Sequence, residues 1–292
     1  MTGKATAVAH GAATIVNAMA TGKGAAFGVD LYTKAEVKLT DEPGVIEAKI
    51  LSEPAESTVL AEKAVMRIFQ RFKVEKRFGA TVETSSNIPI AKGLKSSSAA
   101  ANAVALATAA VLGETLDDIE IVRLGVDAAF DAKVTVTGAF DDACASYFGG
   151  VVVTDNLKRE IVKQSPLEED LTVLFHVPTQ KAYSADSDVN RLKAVMPLVQ
   201  LAYNEAVAGK FWMALTLNGL AYTSAWGYDA SIAVDALQSG AVAAGLCGKG
   251  PAVTAVTPKD CVDAVKVALQ KHGGEVLQAK LNKEKARSYN DG

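Results

Sequence analysis

The hydrophobic pattern opens with strands. Ala5–Ala9 reads as one, and Ala25–Leu39 as another, alternating in part through Val29, Leu31, Val37 and Leu39. Val45–Leu51 is a third. The period then changes: Leu60, Ala64, Ile68, Phe69 and Phe72 fall on one helical face, with Ser57 placed to cap its start. Thr81–Thr84 is a short strand. Ala99–Leu112 is an alanine-rich helix with almost no polar interruption, starting near Ser97. Thr115 and Asp118 form a capping-box-like start for a helix that runs to about Phe130. In TVTGAFDDACASYFGGVVV, Thr135 to Val153, an Asp-Asp pair precedes a short helical stretch. Gly149-Gly150 then breaks into a strand at Val151–Thr154.

Further on, strand-like Leu171–Val177 ends at Pro178, and a polar loop carries Thr179 to Asp188. Two or three helices run from about Val189 to Gln238, followed by strand Val253–Val256, helix Cys261–Lys271 and strand Glu275–Leu281. No internal repeat or low-complexity linker interrupts the chain. Strands and helices mixed in both halves predict a two-domain α+β protein of mixed α/β character. The division falls between residues 155 and 170, giving domains 1–160 and 161–292.

The strongest chemical signal lies between the fourth strand and the alanine-rich helix, in PIAKGLKSSSAA, Pro89 to Ala100. Gly93 allows a tight bend and close approach to a ligand. Lys95 adds a cation, and Ser96, Ser97 and Ser98 supply hydroxyls where the helix begins. A helix starting there turns its free N–H groups and the positive end of its dipole toward the loop, which makes an anion site suited to phosphate. One serine would suffice for an N-cap; three, with a flanking lysine and glycine, exceed that need. No G-x4-G-K-[ST] string occurs, so this is not a Walker A loop. Gly22, Gly24 and Gly28, and Gly245, Gly248 and Gly250, lack the order of a dinucleotide fingerprint.

Composition narrows the partners. The 292 residues are 49% hydrophobic and 22% charged, with a net charge of −3, as in an ordinary globular protein. Neither nucleic acid nor an anionic membrane is an expected partner. The three cysteines, Cys144, Cys247 and Cys261, are widely spaced and form no C-x-x-C pair, so a reduced, cytoplasmic setting is expected. The residues from Met1 to Gly11 lack the apolar core of a signal peptide, and the longest apolar run is too short to span a bilayer.

The order of three segments now matters: PIAKGLKSSSAA, then GAFDDACASYFGG, then AAGLCGKGPAVTAV at Ala243 to Val256. This order resembles the GHMP kinases, whose phosphate motif is close to P-x-x-x-G-L-G-S-S-A-A; here Lys95 stands at the motif's second glycine and a serine is added. Within that superfamily the chain is most similar to the archaeal-type shikimate kinases, in the GLKSSSAA loop, the acidic segment and VPTQKAY, Val177 to Tyr183. The N-terminal family motif, near P-G-x-x-x-L-x-G-E, is replaced by His10 to Gly28 without its acid.

The resemblance implies a small-molecule kinase using ATP and Mg²⁺. It places ATP along Pro89, Ile90, Ala91, Lys92, Gly93, Leu94, Lys95, Ser96, Ser97, Ser98 and Ala99, with Gly248 and Gly250 opposite. It also implies Ser97 and Asp131 as Mg²⁺ ligands, with Asp127 one helical turn earlier, and Lys95 as a cation beside the transferring phosphoryl group. Asp141 is the first choice as base and Asp142 the second; alternatively either caps the helix that follows. A carboxylate acceptor needs a cation, for which Lys181, Arg191, His10 and Lys23 are the candidates. His176 and His272 read as structural. The implied reaction is phosphorylation of the 3-hydroxyl of shikimate, a step toward chorismate and the aromatic amino acids. The alternatives are a homoserine or mevalonate acceptor, a GHMP-fold decarboxylase, and a non-catalytic sensor. Oligomeric state is not legible. Gly93→Val is expected to abolish ATP binding with the fold largely intact.

Overall fold

The computed structural model describes residues 3–90, 93–135, 137–168, 170–179 and 189–290. In chain order its elements are β1 (Lys4–Val16), β2 (Lys23–Thr40), β3 (Ile46–Ile50), α1 (Val59–Phe72), β4 (Gly79–Ser86), α2 (Ser96–Val111), α3 (Asp118–Asp131), α4 (Phe140–Phe148), β5 (Val151–Asp155), β6 (Glu160–Ser165) and β7 (Leu171–Val177). They continue with α5 (Val189–Val207), α6 (Phe211–Trp226), α7 (Ser231–Gln238), β8 (Ala243–Leu246), β9 (Val253–Pro258), α8 (Val262–Gln270), β10 (Glu275–Lys280) and β11 (Arg287–Asn290). No described helix is long and apolar enough to cross a membrane.

The strands form two sheets. In the first, the order is β11-β1-β2-β4-β3, and β2 is long enough to serve two neighbours. Its second half, Thr33–Thr40, pairs with β4, and its first half, Lys23–Phe27, pairs with β5, which carries β6. All these pairings are antiparallel except β3 with β4. The second sheet, β10-β7-β9-β8, is antiparallel throughout.

Three apolar layers follow. Helices α1 to α4 cover one face of the first sheet, in a core that includes Phe69, Val104, Ile121 and Tyr147. Helices α5 and α6 lie between the two sheets, in a core running from Phe27 and Ile15 to Phe175 and Tyr222. The far face of the second sheet packs on α7 and α8 through Leu174, Val265 and Leu269.

β1 extends to Val16, well past the expected end at Ala9. Both of its faces are covered, so its second half, Gly11 to Val16, is buried throughout and apolar except for Thr14, and shows no alternation. A register shift between His10 and Gly11 also breaks the pattern. Ala7, Ala9 and Ala12 face the α1–α4 layer, while Ala13 and Ile15 face the other core.

Other boundaries moved by a few residues. The residue preceding α1 is Thr58, whose hydroxyl donates to Glu62 Oε1 (2.6 Å), rather than Ser57. Asp117, not Thr115, precedes α3. The split between 160 and 161 is also displaced. β6 still belongs to the first sheet, the second sheet is built from 171–280, and β11 returns to pair with β1.

Candidate active site

The expected phosphate loop sits at the start of α2. Lys95 is the residue before the helix and has a left-handed backbone, φ 63°, in a conformation that costs a non-glycine residue about 1–2 kcal/mol. That conformation accounts for the glycine that the family motif carries here. The N-cap position is thus taken by Lys95, which makes no side-chain capping bond, and not by a serine. Ser96, Ser97 and Ser98 form its first turn, whose N–H groups have no partner within the helix, and all three line a cleft of about 660 Å³. This volume suits a small-molecule ligand.

A second helix opens onto the same cleft. α4 also starts from a left-handed residue, Ala139 (φ 47°), which lines the cleft together with Asp142. The Asp142 and Lys95 side chains are 7% and 15% exposed, and Lys95 Nζ lies 2.8 Å from Asp142 Oδ2. Burial works to lower the Lys95 pKa, but Asp142, Cys247 and Asp141 outweigh it, so the ammonium is held above its ordinary value. Asp142 Oδ1 is buried and makes no hydrogen bond among the described residues.

Asp141, one residue earlier, turns away from the loop. It is 3% exposed. Its Oδ1 accepts a hydrogen bond from Asn156 Nδ2 (2.8 Å), and its Oδ2 occupies the space over Gly24, where an added Cβ would lie only 2.4 Å away. Burial and the neighbouring Asp142 push its pKa up to about 7, against the opposing pull of Asn156 and Lys95. The two carboxylates thus divide the site. Asp142 is tied to the phosphate loop, and Asp141 packs on Gly24 at the start of β2. Neither is the N-cap, which is Ala139; both lie inside the first turn of α4.

The C-terminal half closes the cleft from the other side. The Cys247 thiol donates to the Gly93 carbonyl (3.2 Å), and Asn17 Nδ2 donates to the Gly248 carbonyl (2.9 Å). A Cβ on Gly248 would stand 2.5 Å from Lys95 Nζ, so glycine there is what lets the lysine pass. Lys249 lines the cleft, its carbonyl accepts from the Tyr228 hydroxyl (3.2 Å), and burial followed by repulsion from Lys95 lowers its pKa. Two lysines and two helix N-termini therefore converge on one cavity, a strong anion site.

The same packing corrects the expectation for Gly93. Its φ is +86°, and a Cβ would lie 2.6 Å from the Cys247 carbonyl oxygen. Gly93→Val therefore disturbs the junction of the two halves as well as the phosphate site. Loss of ATP affinity is expected together with a lowered melting temperature, read by ATP titration and thermal melts. Unchanged values of both would show that the junction yields freely.

The remaining expected residues separate. Ile90, Gly93, Leu94, Lys95, Ser96, Ser97, Ser98 and Gly250 line the cleft. Ala91, Lys92 and Lys181 lie outside the described residues. Pro89 does not line the cleft, and Ala99 is fully buried in the core between the sheets. Asp131, expected on the metal, instead forms a bidentate ion pair with Arg67, both contacts 2.6 Å, and Asp127 pairs with Arg159 at 2.7 Å. Both oxygens of Asp131 are thereby engaged away from the cleft.

His10 also leaves the site. It lies in mid-β1, where burial lowers its pKa and Glu284, Arg287 and Asp30 are its charged neighbours. Arg191 is exposed at the start of α5, against Gly227. Lys23 stacks its ammonium over the Tyr203 ring, 5.5 Å from the centroid. Sequence reasoning missed Lys249, Asn17 and Asn156. Lys249 sits inside a segment read only for its glycines, and neither asparagine carries a motif.

Comparison with known proteins agrees with this geometry. Residues 59–150 match the GHMP kinases N terminal domain. A shikimate kinase of Methanosarcina mazei is 46% identical over 292 residues, covering 99% of this chain and 98% of the relative. One of Methanothermobacter thermautotrophicus is 40% identical, covering 97% and 98%. Among solved structures, homoserine kinase from Cytophaga hutchinsonii superposes with a TM-score of 0.77 at 16% identity, covering 99% of this chain and 98% of that one. Methanococcus jannaschii mevalonate kinase gives 0.78 at 16%, covering 95% and 98%. Those two likenesses establish the fold; the full-length likenesses at higher identity establish the branch. The chain belongs to the GHMP kinases, in the family of the archaeal shikimate kinases.

Proposed function

We propose that this protein transfers the terminal phosphoryl group of ATP to the 3-hydroxyl of shikimate, giving shikimate 3-phosphate and ADP. The observation that carries the acceptor is the full-length likeness, at 40–46% identity, to proteins named shikimate kinase. The site supports the reaction type. Phosphoryl transfer needs positioned phosphates, neutralised charge and a group to take the acceptor's proton. The N-terminus of α2, with Lys95 and Lys249, serves the phosphates. Asp141, poised near neutrality, serves as base on the side facing Gly24. Asp142 holds Lys95 in place.

Mg²⁺ fits this site as a companion of ATP. The ion takes oxygen ligands and keeps several waters, and it is usually held through one or two protein groups and the phosphates. The cleft offers hydroxyls, Ser97 among them, and no cluster of three His, Cys, Asp or Glu occurs among the described residues. Ser97 is the protein ligand we assign, and the ion would neutralise phosphate charge there. Ser97→Ala is expected to raise the Mg²⁺ concentration needed for half-maximal rate; an unchanged titration would remove Ser97 from the metal. The setting is cytoplasmic, and a cation is to meet the substrate carboxylate.

The deciding experiment is coupled ADP release with shikimate, homoserine and mevalonate, alongside CO₂ release from a diphosphorylated mevalonate. Turnover confined to shikimate is expected. Preference for another acceptor, or CO₂ release, would replace the reading.

A further inference from the structure

Asp141 is held by a short hydrogen-bond chain that serves no other described purpose. Asn156 follows β5 and is 5% exposed. Its backbone N–H donates to the Gly22 carbonyl (2.9 Å), which fixes its Cα beside the turn that leads into β2. The Thr154 hydroxyl donates to Asn156 Oδ1 (2.6 Å), and Asn156 Nδ2 donates to Asp141 Oδ1 (2.8 Å). Polarity runs one way along this chain. With Oδ1 occupied by a donor, the amide can present only its N–H₂ to the carboxylate. A flipped amide would set its oxygen against the Asp141 carboxylate.

We infer that Asn156, oriented by Thr154, is a positioning residue for phosphoryl transfer: it holds Asp141 by one oxygen and keeps it ionised for proton abstraction. The inference rests on Asp141 as the base. Opposing forces make the bond necessary. Asp141 is buried against Asp142, and its own helix also brings Cys144 toward it. Lys95, from the start of α2, is the cation that reaches it, and that lysine is engaged by Asp142. Tyr222 faces it from α6 as a neutral phenol, and its hydroxyl is engaged by Asn17 and Ala20. The Asn156 amide and, more weakly, the Asp142 backbone N–H are thus the neutral donors to the carboxylate, and a bond to the charged form favours that form.

The test uses Asn156→Leu, which keeps the volume and removes the donor, and Thr154→Val, which keeps the amide and removes its orienting partner. Two readouts are taken on the full-length protein: the acid limb of kcat/KM against pH, and the titration of Asp141 by NMR of ¹³C-labelled aspartate, assigned with Asp141→Asn. In Asn156→Leu both are expected to move to higher pH by about 1–2 units, with rate recovering at alkaline pH. Thr154→Val moves both in the same direction by less. An Asp141 titration that stays in place overturns the inference and leaves Asp141 as base untouched. A titration that moves without the kinetic limb overturns the catalytic role of Asn156 and the choice of base together. A uniform loss of rate at every pH marks a purely structural residue and also overturns it. If Asn156→Leu does not fold, the Thr154→Val titration decides.

Discussion

Asp141→Asn is expected to lower kcat by about 10²–10⁴-fold while making the protein more heat-stable at alkaline pH. The rate loss is the usual contribution of a positioned general base. Acceptor affinity should change little, because the amide keeps the shape and can still accept from Asn156. The stability gain follows from the raised pKa. An acid held at about 7 in the folded state, and near its ordinary value when unfolded, favours folding most below the unfolded pKa. That contribution is lost as pH rises through about 7, beyond which the wild type carries a buried charge. Asparagine carries none. The difference in melting temperature between variant and wild type should therefore widen from pH 5 to pH 8, in favour of the variant. A variant that is fully active, or that melts lower at pH 8, would show that Asp141 is neither the base nor a costly buried charge.

Asp142→Asn is expected to be the more damaging change to the fold. On sequence grounds Asp142 is the second choice as base or a helix cap, and asparagine also caps helices. In the structure it is the partner of a buried lysine. Removing one member of such a pair leaves the other charge uncompensated and costs about 3–5 kcal/mol. Lys95 then faces Lys249 with Cys247 and Asp141 as its remaining stabilising neighbours, so ATP binding should weaken as well. Lys95→Met in the Asp142→Asn background should recover part of the lost stability and none of the activity, since the stranded charge is gone. Thermal or urea melts of the two single variants and the double variant read this directly. A loss within about 0.5 kcal/mol for Asp142→Asn would place it with ordinary surface substitutions and sink the account.

Legibility along the chain followed local signal strength. The turn at Gly93, the three serines and the alanine-rich run announced the start of α2 because a turn, a free helix end and good helix formers are properties of adjacent residues. Strands β6, β8 and β11 were invisible. β6 alternates between half-buried and exposed, β8 lies in a glycine-rich stretch, and Arg-Ser-Tyr-Asn in β11 becomes a strand only by pairing with β1. Asp131 was chosen by spacing along the chain, and its fate was set by Arg67 on a different helix.

The sequence alone determined the kind of chemistry: an anion site at one helix N-terminus, an acidic pair at another, and a third glycine-rich segment, in an order that marks one superfamily. These are encoded by neighbours in sequence, where steric and capping rules act over a few residues. Only the tertiary structure decided how the work is shared. Lys95 could have served Asp141 or Asp142, and packing gave it to Asp142. Asn156 reached Asp141 because β5 pairs with the first half of β2, and Lys249 entered the cleft because Cys247 and Asn17 draw its loop onto Gly93 and β1. The physical reason is range. Charge pairing, burial and the pKa values they set depend on distances of a few ångströms between groups far apart in the chain, and only the folded chain brings those groups together.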